Sequence, residues 1–216
     1  MSEVRRVICL HGIWMPGMGM TYVAKRLADN HGFDTSLFEY APVTESLDVN
    51  ADKLADAVRE AGEPLHLVGH SLGGVLSLYT LSRYPDLPVE RVTCLGSPLC
   101  GSRAADFLNQ HDWGRLILGK TITEGVIENA ANEWGETVAQ QREVGVVAGD
   151  AAIGVGRLVV RFDEPNDGAV AVAETRLPGA RDHVVVHVNH TGMLLSPTVV
   201  DQAAAFLKNG RFDPVQ

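Results

Sequence analysis

The chain has 216 residues, 45% of them hydrophobic and 21% charged, with a formal net charge of −9 spread along its length. That balance supports a folded core and argues against global disorder. The absence of a basic patch speaks against nucleic acid as a partner, and the acidic surface is mildly repelled by anionic membranes. The length suits a single domain over residues 1–216.

Residues 5–10 form an apolar run that reads as a buried strand. It is too short for a signal-peptide core, and no run in the chain is long enough to span a bilayer, so a cytoplasmic setting is expected. A glycine-rich loop follows at residues 11–19, then a helical segment at 21–30 and a second strand at 35–40. Residues 46–61 carry Leu47, Leu54, Ala57 and Val58 at helical spacing, with Gly62 as a stop. A third strand at 65–68 runs into a turn at 69–71 and an apolar helix at 72–83, with Pro85 just beyond. Strands are also predicted at 91–95, 144–148 and 184–188, a hairpin arm at 158–160, and a closing helix at 199–208.

Strands that are nearly continuous apolar runs, separated by helices, imply an α/β fold with a mostly parallel central sheet covered on both faces. Residues 99–141 break this rhythm. They are long, weakly periodic and rich in tryptophan (Trp113, Trp134), with an apolar patch at Leu116-Ile117-Leu118. Such an excursion is expected to cover the strand ends as a cap over a pocket. The three cysteines, Cys9, Cys94 and Cys100, form no Cys-x-x-Cys pair. Cys9 and Cys94 lie inside apolar runs, and all three read as reduced packing residues.

The segment Gly69-His70-Ser71-Leu72-Gly73, followed by Gly74, carries the chemistry. A bare Gly-x-Ser-x-Gly pattern is common by chance. Here it sits between an apolar strand and an apolar helix, which is the setting of a nucleophile elbow. In such a bend the serine takes a strained backbone conformation and projects its hydroxyl from the sheet edge. Gly69 and Gly73 keep the neighbouring positions small, and the helix N-terminus faces the charge that develops on attack.

A serine nucleophile needs a base, and the base needs an orienting carboxylate. On this type of sheet they follow in the order serine, acid, histidine. His190, just after the last strand in Asn189-His190-Thr191-Gly192, fits the base. His183 and His187 are rivals, one expected before that strand and the other within it. For the acid, Asp167 in Pro165-Asn166-Asp167-Gly168 is favoured over Asp150, with Asp163 behind. Each can equally be a turn aspartate bonding its own backbone. The two oxyanion donors are assigned to the N–H groups of Leu72 and Ile13, the latter beside Gly12 in the loop after the first strand.

Taken together, His11-Gly12, Gly69-His70-Ser71-Leu72-Gly73-Gly74, Asn166-Asp167-Gly168 and Asn189-His190-Thr191 resemble the small lipase and esterase branch of the α/β-hydrolase superfamily. The resemblance spans almost the whole chain and implies hydrolysis of small-molecule carboxylic esters by a Ser71-His190-Asp167 triad, with peripheral lipid contact open to it. No metal or other cofactor is implied. Gly154-Val155-Gly156 is only a fragment of a dinucleotide fingerprint. The triad alone does not separate an esterase from a thioesterase, amidase or acyltransferase, nor from a silent binding module on the same fold.

Overall fold

The computed structural model describes residues 5–110, 120–121, 123–128, 131–152 and 163–214. Six strands build one sheet: β1 Arg6–Leu10, β2 Asp34–Phe38, β3 Leu65–His70, β4 Val89–Leu95, β5 Glu143–Gly149 and β6 Asp182–Val186. Their order is β2-β1-β3-β4-β5-β6. Every adjacent pair is parallel, so all C-terminal strand ends lie along one edge.

The apolar runs follow from burial on both faces. Ile8 and Leu10 of β1, Leu67 of β3 and Val92 of β4 point into one core. Val7, Cys9, Val68 and Leu95, the alternate positions, point into the other. The first core is closed by α2 (Leu47–Ala61), α3 (Leu72–Arg83) and α5 (Ala131–Gln141), the second by α1 (Thr21–His31) and α6 (Pro197–Asn209). A fully buried Leu such as Leu54, Leu67 or Leu76 contributes roughly 1.5–3 kcal/mol relative to exposure. Local signals set the ends of the helices. Ser46 caps α2 by accepting from the Val49 N–H, and Gly62 closes it at φ 70°.

The last strand starts two residues earlier than the sequence suggests. The valines point to 184–188, but β6 covers Asp182–Val186, placing His183 inside the strand and His187 after it. The sheet edge explains the shift. Four of its five residues are half-buried, so polar residues are tolerated, and the Asp182 carboxylate accepts from the Phe212 N–H at 2.8 Å.

Within residues 99–141 the described parts include two helices, α4 (Arg103–Asn109) and α5, and a π-helical turn at Thr123–Glu128. Trp134 of α5 meets Tyr79 of α3 edge-on at 5.4 Å. Trp113, the patch at 116–118, the hairpin arm at 158–160 and Gly154-Val155-Gly156 lie outside the described residues. Cys9 and Cys94 are free and fully buried, and burial pushes both thiols up to about 12. Cys100 is free and half-buried. Among the described residues no helix is long and apolar enough to cross a membrane.

Candidate active site

Ser71 sits between the end of β3 and the first residue of α3, at φ 53° and ψ −120°. Such backbone geometry costs a non-glycine residue on the order of 1–3 kcal/mol and persists only where its surroundings impose it. Here the Ser71 N–H donates to the Leu95 carbonyl of β4 at 2.8 Å, and the Gly74 N–H donates to the Ser71 carbonyl at 3.1 Å. The glycines are demanded by space. A Cβ on Gly69 would lie 2.4 Å from the Gly73 backbone, and one on Gly73 would lie 2.6 Å from the Leu10 carbonyl oxygen. The bend therefore packs backbone on backbone, with the N-terminus of α3 directly behind the serine.

Asp167 lies in the loop after β5 and is 1% exposed. Its Oδ1 accepts from the N–H groups of Ala169 (2.9 Å) and Val170 (2.7 Å), and its Oδ2 lies 2.7 Å from His190 Nδ1. The Asn166 side chain folds the same turn by accepting from the Gly168 N–H at 3.0 Å. The His190 N–H donates to the Asp167 carbonyl at 2.9 Å, so the two residues are joined through main chain as well as side chain. Gly96, at the end of β4, makes room for the pair. A Cβ there would stand 3.2 Å from both Asp167 Oδ2 and His190 Nδ1.

The pair is docked on the elbow. His70, the residue before Ser71, places Nε2 3.0 Å from the His190 carbonyl oxygen, and the two rings lie 4.7 Å apart. The loop after β1 closes the other side, since a Cβ on Gly12 would be 3.1 Å from the Ser71 Cβ. That loop is held by His11, whose ring stacks on Tyr40 at 4.3 Å. The Tyr40 N–H donates to His11 Nε2 at 3.4 Å, so the ring proton sits on Nδ1, which donates to the Gly12 carbonyl at 2.7 Å. In a trans peptide, a Gly12 carbonyl turned toward His11 sends the Ile13 N–H the opposite way. Leu72 is the first residue of α3, where amides lack a partner four residues back.

The rivals are engaged elsewhere. Asp150 pairs with His187 at 2.8 Å, on a histidine whose side chain is 85% exposed. His183 bonds the Thr175 hydroxyl at 2.9 Å, and burial holds its imidazole below the usual range. Asp163 is exposed in the bend that leads toward the Asp167 turn. Sequence reasoning passed over Gly96, and over His11 and Tyr40 as supports of the loop. Gly96 could have been suspected from its place at the end of a predicted strand. The stacking of His11 on Tyr40 joins the segments that follow β1 and β2 and has no local signal.

The sequence model of the Alpha/beta hydrolase family matches residues 7–209. The chain belongs to that family. The order of Ser71, Asp167 and His190 along this hydrolase is the order its fold uses. The mature form of the Bacillus licheniformis lipase BlEst2 is similar with a TM-score of 0.78 and 21% identity, over 97% of this chain and 93% of that one. Phospholipase PlaB from Legionella pneumophila is similar at 0.68 and 14% identity, over 97% and 57% of the two chains. The thioesterase domain from the curacin biosynthetic pathway gives 0.61 and 15%, over 96% and 92%. At these identities the likeness is one of fold. No curated protein sequence matches the hydrolase significantly.

Proposed function

We propose that this hydrolase cleaves small-molecule carboxylic esters through an acyl-enzyme on Ser71. The observation that carries the reading is the bond at 2.7 Å between the buried Asp167 carboxylate and His190, docked through His70 onto the bend that presents Ser71. His190 takes the Ser71 proton as Ser71 attacks the ester carbonyl, and Asp167 keeps the His190 proton on Nδ1 and stabilises the imidazolium. The Ile13 and Leu72 N–H groups hold the oxyanion, the alcohol leaves with the proton, and water then releases the acid with His190 again the base. Each step uses only protein groups and water.

Residues 99–141 act in this reading as the cover of a single domain. Hydrogen bonds among the described residues stitch them to it. The N–H groups of Lys120 and Thr121 donate to the Val43 and Pro42 carbonyls, and the Arg103 N–H donates to the Glu174 carboxylate. A cytoplasmic setting agrees with the three free cysteines.

A serine-directed fluorophosphonate and a panel of p-nitrophenyl esters of increasing chain length test the proposal. Labelling and turnover by wild type, both lost in Ser71→Ala, are expected. Folded wild type that takes no label and turns over no ester refutes it and favours a silent binding module.

A further inference from the structure

His70 is the last residue of β3 and is 2% exposed, yet only one of its ring nitrogens has a partner. Nε2 lies 3.0 Å from the His190 carbonyl oxygen. A carbonyl only accepts, so Nε2 carries the proton and donates. Nδ1 is then an acceptor, buried without a donor, and faces the oxyanion loop, where a Cβ on Gly12 would be 3.1 Å away. An apolar side chain would fill this space without an orphan nitrogen, so packing alone gives no reason for an imidazole here, and what it adds is the Nε2 bond to the His190 carbonyl.

The groups that act on the ring electrostatically are His190, Asp167 and His11. Burial, then the neighbouring His190, holds the His70 imidazole down to about 3. It therefore stays a neutral donor across the working range and adds no charge beside a forming His190 imidazolium.

We infer that His70 is a positioning residue: its Nε2–H clamps the His190 main chain to the nucleophile elbow, setting the base against the serine hydroxyl. The two catalytic candidates stand on separate loops, 119 residues apart in sequence, after β3 and after β6. The clamp joins them through the residue next to the nucleophile, with no loop flexibility between donor and Ser71. This inference rests on the hydrolase reading and adds the element that fixes the distance on which proton transfer depends.

The test compares His70→Leu, which fills the space without a donor, with His70→Gln, whose side-chain amide can place a donor near the position of Nε2. Melting temperature, kcat and KM on p-nitrophenyl butyrate, the pH profile of kcat/KM and the rate of fluorophosphonate labelling are measured for each. His70→Leu is expected to keep its KM and to lose only a few degrees of melting temperature, from the His190 carbonyl left without its donor, while kcat falls on the order of 10²-fold, the scale of misplacing a reacting group by an ångström. Its kcat/KM profile should shift on the basic-form limb, and its labelling should slow in parallel. His70→Gln should recover most of kcat and the wild-type profile.

Labelling of His70→Leu at the wild-type rate overturns the inference. So does a His70→Gln variant as impaired as His70→Leu. If His70→Leu does not fold, His70→Gln decides alone: wild-type kcat and pH profile uphold the clamp, and a damaged kcat overturns it. Folded wild type that takes no label instead overturns the hydrolase reading, which keeps the two failures apart.

Discussion

Replacing Asp167 by Asn changes one oxygen for an NH₂ group, and the surroundings dictate which way the amide faces. Oδ1 accepts from two backbone N–H groups, those of Ala169 and Val170, at 2.9 and 2.7 Å. Turning the NH₂ toward them would leave two buried donors unpaired, at about 1–3 kcal/mol each. The amide oxygen therefore stays on the backbone, and the NH₂ takes the Oδ2 position 2.7 Å from His190 Nδ1. A donor there obliges Nδ1 to accept, which moves the imidazole proton to Nε2, the nitrogen that takes the Ser71 proton in the proposed mechanism. The expected loss in kcat is on the order of 10⁴-fold, or about 5 kcal/mol of transition-state stabilisation. The overall fold should survive, because the backbone turn is kept. Initial rates on p-nitrophenyl butyrate, with thermal melts of both proteins, make the measurement. An Asp167→Asn enzyme within about tenfold of wild type, together with a crippled Asp150→Asn, would refute the reasoning and move the acid to the other loop.

Two further outcomes follow from packing and burial. Gly73→Ala puts a Cβ 2.6 Å from the Leu10 carbonyl oxygen and 2.7 Å from that of His11. Rigid backbone on both sides should make it destabilising by at least about 2–3 kcal/mol in a chemical denaturation curve, and a melt indistinguishable from wild type would contradict the packing. His66, fully buried in β3 with neither ring nitrogen hydrogen-bonded, is held down to about 4 by desolvation, then by Arg5 and Arg91. The unfolded chain takes up a proton at this histidine below about 6.5, while the folded one resists until about 4, so stability falls as pH drops through that window. His66→Leu should flatten the slope of unfolding free energy between pH 7 and 4, and an unchanged slope would count against burial of a neutral imidazole; His70 contributes in the same direction and is left intact in that comparison.

Most of the architecture was legible because burial on two faces leaves a signal in the central strands β1, β3, β4 and β5. Val7-Ile8-Cys9-Leu10 is apolar without a break, and Leu65–His70 is buried at every position around an apolar Leu67-Val68 centre, as a doubly covered sheet requires. The ends of β6 were less legible, since an edge strand is half-buried and its valines no longer mark its limits. The helix α5 was hidden in a stretch with weak periodicity, where Gly135 interrupts the pattern. Its place comes from contact with α3 and from Leu177, 3.0 Å from where a Gly135 Cβ would stand.

By itself the sequence determined the bend at Ser71. Three glycines, a strand and a helix in succession leave little other conformation, because the clashes they avoid are between residues close in the chain. The identity of the carboxylate beside His190 was a different kind of question. Asp150, Asp163 and Asp167 all occupy turn-like sequence, and each could bond its own backbone. Only the tertiary structure separated them, by pairing Asp150 with His187 and burying Asp167 against His190. Which of several chemically equal side chains meets a distant partner depends on how strand ends align across the sheet, and that alignment is set by packing of the whole domain rather than by any local stretch.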